Sequence, residues 1–209
     1  MNIILFDLDG TIIDSTEPII EAFNYSFDYH NHPRPKPEDI VKLIGYTLED
    51  IFGNLGAYDV PSFVSVYKSL YREIGVKKTK LIPLAKDAII KASKFAKLGV
   101  VTTKTARYSK DILDVLDILQ YFDVVVGRED VINAKPSAEP IHKALSNFDS
   151  YSRVTMIGDT PMDLMAAKNS NIDGLAVLTG YADINLLKEH TDNIFNNLFE
   201  AIEWLEKKY

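Results

Sequence analysis

Five short, nearly continuous apolar runs constrain the fold of this chain more than anything else in it: residues 3–6, 100–102, 124–126, 154–157 and 175–178. Runs of this length without polar alternation suit parallel strands buried on both faces. Helical patterns such as 85–95 and 109–119 lie between them. Strand and helix in alternation predict a doubly wound parallel sheet of the α/β class. Leu198, Ile202 and Leu205 recur at helical spacing and predict a last amphipathic helix packed on that sheet.

One interval breaks the alternation. After Asp14 no strand pattern recurs until about Gly99. Helical patterns fill the gap: Ile20, Phe23 and Phe27, then 40–44, then Phe63, Tyr67, Leu70 and Ile74, with Gly75 as the expected stop. Pro33, Pro35 and Pro37 punctuate the first turn, because proline disfavours helix at the residue before it. The expected organisation is an α/β core of residues 1–14 and 82–209, carrying an inserted α-helical cap of residues 15–81. Hinges are expected near Ser15–Thr16 and 81–83.

The first run ends in "LFDLDGTIID", residues 5–14. A strand presents residues i and i+2 on one face, so Asp7 and Asp9 should point the same way. Two close carboxylates repel unless a cation or a reaction step needs them together. Ligands of an open parallel sheet bind outside the carboxyl ends of its strands. The polar residues after the later strands are therefore the candidates to join them: Thr102 and Thr103, Lys135, and Asp159.

"DLDGT" (7–11), "VVTTK" (100–104), "AKPS" (134–137) and "GDTPMD" (158–163) resemble the four ordered motifs of the haloacid dehalogenase superfamily. Within it the chain is most similar to phosphoglycolate phosphatase-like hydrolases, and the insert resembles their small α-helical cap. The resemblance implies that Asp7 is a nucleophile toward phosphorus and Asp9 a general acid and base. It implies a magnesium site built from Asp7, Asp159 and the backbone carbonyl of Asp9, an oxygen set that suits this hard cation. Thr102 would hydrogen-bond the phosphoryl group and Lys135 would neutralise its charge. Asp163 has three roles open to it: direct metal ligand, indirect support through water or Lys135, or closure of a helix start after Thr160 and Pro161. Thr103 stands where many relatives carry asparagine. Lys42, Gly45 and Tyr46 could face substrate from the cap, or form an ordinary surface helix and turn. His30 and His32 have no metal-ligand spacing and are expected at the surface.

Composition narrows the setting. The chain has 209 residues, 46% hydrophobic and 25% charged, enough for a sizeable core. Net charge is -7 with scattered basic residues, which points away from nucleic acid. No apolar stretch nears the ~18 residues of a spanning helix, no leader pattern is present, and cysteine is absent. A reducing, cytoplasmic setting is expected, with no membrane partner and with monomer and dimer both open. The function expected from the resemblance is magnesium-dependent hydrolysis of a small phosphomonoester, phosphoglycolate-, sugar phosphate- or nucleotide-like, through an aspartyl-phosphate. A phosphosugar mutase and a pyrophosphatase are the alternatives within the superfamily; Thr11 weakly favours hydrolysis, since mutase relatives often carry valine there. Dehalogenation is disfavoured because it needs no acid in the Asp9 role. A receiver-like phospho-signalling module is the non-enzymatic alternative.

Overall fold

The computed structural model describes residues 1–209. Eight strands and ten α-helices follow one another along the chain. The strands are β1 (Asn2–Phe6), β2 (Ile13–Asp14), β3 (Lys80–Leu81), β4 (Lys97–Val101), β5 (Val124–Val126), β6 (Arg153–Gly158), β7 (Asp173–Val177) and β8 (Ile194–Phe195). The insert carries α1 (Thr16–Tyr29), α2 (Pro37–Val41), α3 (Leu48–Asn54) and α4 (Val60–Lys78). The rest carries α5 (Ala85–Ala92), α6 (Ala106–Val115), α7 (Glu139–Leu145), α8 (Pro161–Asn169), α9 (Ile184–Lys188) and α10 (Leu198–Glu206).

Six strands form one sheet in the order β5-β4-β1-β6-β7-β8, and every neighbouring pair is parallel. The chain fills one half of the sheet outward from β1 to β5, then returns to the other side of β1 with β6. That reversal makes the crevice between β1 and β6 a topological switch point, where ligands of such sheets bind. The apolar runs are continuous because both faces are covered. Ile4 and Phe6 join the larger core with Ile89 of α5 and Ile202 of α10. Ile3 and Leu5 point the other way, toward Ile141 of α7 and Ala166 of α8. The final helix thus packs as its spacing predicts.

The insert has its own apolar centre. Phe23, Phe27, Phe52, Phe63 and Tyr67 from α1, α3 and α4 pack together, with ring centroids of Phe23 and Phe52 4.5 Å apart. Four expectations change here. The helix over Phe63 and Ile74 does not stop at Gly75 but runs to Lys78; the glycine is there not as a stop but because the Tyr71 ring lies where its side chain would stand. A strand does precede Gly99: Lys80–Leu81 pairs antiparallel with Ile13–Asp14, tying the two crossings of the chain together. His30 is half-buried, its ring stacked 3.8 Å from that of Phe63, with its nitrogens 2.8 Å from the Ser26 carbonyl and the Ser62 hydroxyl. His32 is also half-buried, against the edge of Phe27. No helix is long and apolar enough to cross a membrane.

Candidate active site

Asp7 is the first residue beyond β1, and its amide continues the ladder by donating to the Ile157 carbonyl at 2.9 Å. The chain then coils tightly, with the amides of Ile12 and Ile13 both donating to the Leu8 carbonyl. This turn carries Asp9 over the strand ends and delivers the chain to β2. Gly10 sits in it at φ +82°, a left-handed conformation glycine tolerates best. A β-carbon there would also strike the Asp159 carboxylate, and so would one at Gly180. Two glycines therefore make the niche for Asp159.

Asp7, Asp159 and Asp163 are all buried, with one oxygen of each within 4.8 Å of the others. One cation sits among these three acids: the Lys135 amine, 2.7 Å from Asp7 Oδ1 and 2.5 Å from Asp163 Oδ1. Lys135 belongs to the loop that follows β5 at a distance, and its side chain is only 2% exposed. Asp163 also closes the first turn of α8, accepting from the Thr160 amide at 3.1 Å and the Thr160 hydroxyl at 2.7 Å. It is thus both a helix-start residue and the anchor of Lys135. Asp159 accepts from the Thr11 hydroxyl at 3.1 Å and the Tyr181 amide at 3.0 Å. Asp7 Oδ2 takes part in no hydrogen bond, although the residue is only 2% exposed.

Electrostatics follow from this crowding. Burial pushes Asp7 up to about 7; Lys135 pulls it back and Asp163 adds to the rise. Burial, then repulsion from Asp7 and Asp163, holds Asp159 well above the usual carboxylate range. Burial would lower the Lys135 amine, but Asp163 and Asp7 beside it raise it instead. Three buried acids face a single amine, so carboxylate oxygens outnumber the cations in the niche. Such a niche can hold a hard divalent cation.

Asp9 faces away from this cluster. Its Oδ1 accepts from the Ser15 hydroxyl, and its Oδ2 lies 3.3 Å from the Lys104 amine. The Thr102 hydroxyl lies just beyond β4 and accepts from the Lys104 amide at 3.1 Å. Beyond Asp9 opens a cleft between insert and core. Ile19, Phe23, Ile44, Gly45, Tyr46, Tyr67 and Tyr71 line it from the insert, and Thr103, Lys104, Tyr108 and Arg128 from the core. Gly45 and Tyr46 thus reach the site, whereas Lys42 is exposed and lies 3.7 Å from Asp39.

Sequence reasoning passed over Lys104, Ser15 and the Gly180–Tyr181 pair. Lys104 is the last residue of "VVTTK" and Gly10 lies within "DLDGT", but neither motif shows the contacts they make. Nothing local marks Ser15 or Gly180.

Residues 4–177 match the family model described as haloacid dehalogenase-like hydrolase. The chain is 32% identical over 179 residues to a pyrophosphatase PpaX of Bacillus mycoides, covering 85% of this chain and 83% of that one. It is 33% identical over 197 residues to a phosphoglycolate phosphatase of Aquifex aeolicus, with 88% of each chain covered. A haloacid dehalogenase-like family hydrolase from Streptococcus pneumoniae superposes with a TM-score of 0.88 at 30% identity, over 97% of both chains. With its switch-point aspartates, its inserted helices and this match along most of its length, the chain belongs to the haloacid dehalogenase-like hydrolase family.

Proposed function

We propose that this hydrolase is a magnesium-dependent phosphatase of small phosphate esters that works through an aspartyl-phosphate on Asp7. The observation that carries the reading is the asymmetry of Asp7. One oxygen is fixed by Lys135, while Oδ2 makes no hydrogen bond within the protein and stands open at the switch point. A carboxylate held this way is an oriented nucleophile. Asp9 lies on the cleft side, where a leaving alcohol would depart, and acts as general acid and then as base toward water. Thr102 and Lys135 orient and neutralise the phosphoryl oxygens.

Asp7 and Asp159, with the Asp9 carbonyl, would hold magnesium, while Asp163 supports the site through Lys135. When bound, the cation neutralises the clustered carboxylates and shields the nucleophile from the anionic ester. The fit rests on the donor set: buried carboxylates only, one amine among them, and a niche cut by two glycines.

The cleft qualifies the substrate. Lys68, Lys104 and Arg128 line it against Asp9 and Glu49, among tyrosines. This balance favours a small leaving group with a second acidic function, such as phosphoglycolate or a diphosphate. The pyrophosphatase alternative gains from the same basic lining. Membership of a hydrolase family leaves no place for a receiver-like module. A screen of phosphate esters and pyrophosphate with magnesium tests the reading. Turnover of acidic small esters that stops on chelation is expected, and chelation-resistant turnover would overturn the metal assignment.

A further inference from the structure

Lys104 carries the second amine of the site, its side chain 10% exposed, and beyond lining the cleft it has no part in the steps assigned above. Its backbone is fixed on the core: its amide donates to Thr102 Oγ1 at 3.1 Å and its carbonyl accepts from the Arg128 amide at 3.0 Å. Its side chain then crosses to the cap. The amine donates to the Tyr71 hydroxyl of α4 at 2.9 Å, lies 4.4 Å from the centre of that ring, and pairs with Asp9 at 3.3 Å. Burial would lower this amine, but Asp9 and Tyr71 beside it raise it instead.

Tyr71 is itself set by the cap's interior. Its ring stacks on Tyr67 at 5.4 Å and 10°, and Tyr67 packs on Phe23 at 4.8 Å. The ring passes over Gly75, where any β-carbon would collide with it. This explains why a glycine occupies a mid-helix position that ordinarily costs stability. The other side of Asp9 is held by Ser15, the residue that starts α1. The two groups that hold Asp9 thus sit where core and insert meet: Ser15 at the start of α1, and Lys104 on the core with its amine tied to Tyr71.

We propose that Lys104 is a positioning residue which, with Tyr71 and Gly75, couples closure of the cap to placement of Asp9. With the cap closed, the Tyr71 hydroxyl and Asp9 share one amine, and the carboxyl is aimed at the leaving oxygen. When α4 moves away, Lys104 loses its cap partner and Asp9 one fixed side. The inference rests on the phosphatase reading only in giving Asp9 a part in leaving-group departure.

The test compares a poor alkyl leaving group with an activated aryl one, using Lys104→Met, Lys104→Arg, Tyr71→Phe, Gly75→Ala and the Lys104→Met/Tyr71→Phe double variant. An activated leaving group needs little proton help. Lys104→Met should therefore lose roughly 10²-fold in kcat on the alkyl ester and far less on the aryl ester. Tyr71→Phe, which deletes one oxygen, and Gly75→Ala should show the same selectivity more mildly. Lys104→Arg should recover part of the loss. The double variant should be no worse than Lys104→Met, because both residues act through one contact. Equal losses on the two esters, or additive losses in the double variant, would overturn the proposal. If the wild-type protein hydrolyses no ester with magnesium, the phosphatase reading fails and hydrogen exchange decides the relay. Faster exchange of α4 and of the Lys104 amide in Tyr71→Phe supports the tether; unchanged exchange removes it.

Discussion

Asp7 gives the site its chemistry and also costs the fold stability. In the unfolded chain its carboxyl titrates near the ordinary value of 3.8; in the folded, metal-free protein burial moves it to about 7. Between those values the folded state holds a proton that the unfolded state has lost. Stability of the chelated protein should therefore fall as pH rises from about 4 to about 7, by as much as roughly 4 kcal/mol from this group. Asp159, shifted the same way, adds to the decline. Denaturant unfolding with chelator across this range checks the sign. Asp7→Asn should flatten the slope, and stability that climbs through the window would contradict the burial argument. A second residue-scale expectation concerns Gly180. Gly180→Ala should push the Asp159 carboxylate aside and raise the magnesium requirement while leaving the fold intact, as read by metal titration of turnover and by circular dichroism.

At the scale of the element, α8 shows how one residue serves local and distant structure. Asp163 caps the first turn through Thr160 and holds Lys135, 28 residues earlier. Removing it strands a buried amine beside Asp7 alone. Asp163→Ala should cost about 3–5 kcal/mol, the usual penalty for breaking a buried pair, measurable by denaturant unfolding; a loss under half that would mean Lys135 finds other partners. The same scale shows what the sequence could express. Five of the six sheet strands were legible because parallel pairing leaves both faces apolar; β8, two residues at the sheet edge, was not. The Asp7–Asp9 and Asp159 motifs were in view because they directly follow strand ends, and Lys135, well beyond β5, through the "AKPS" motif. The helix through Gly75 was not, since a glycine reads as a stop unless the Tyr71 ring above it is known. The pairing of Ile13–Asp14 with Lys80–Leu81 was not, because two residues carry no periodicity. Lys104 reads as a solvated lysine until Tyr71, 33 residues earlier, closes over it.

For the whole molecule, the residues assigned to chemistry all lie outside the insert, and the insert supplies most of the apolar wall of the cleft. We propose residues 15–81 as the cap, with the paired crossings Ile13–Asp14 and Lys80–Leu81 at its base. A variant in which a short Gly/Ser linker replaces residues 16–79 keeps β2 and β3. It should fold, bind magnesium and hydrolyse an activated aryl phosphate slowly. It should lose discrimination among natural esters, because Tyr46, Lys68 and Tyr71 leave with the insert. Selectivity equal to that of the full chain would place specificity in the core. The central claim is covalent, and one measurement addresses it directly. Rapid acid quench during turnover of a small ester with magnesium, followed by peptide mass spectrometry, should find a phosphoryl group on the peptide carrying Asp7. The adduct should accumulate in Asp9→Asn with an activated ester, where water attack is slowed more than its formation, and be absent from Asp7→Asn. Sustained turnover with no adduct on that peptide in either the wild type or Asp9→Asn would contradict the account.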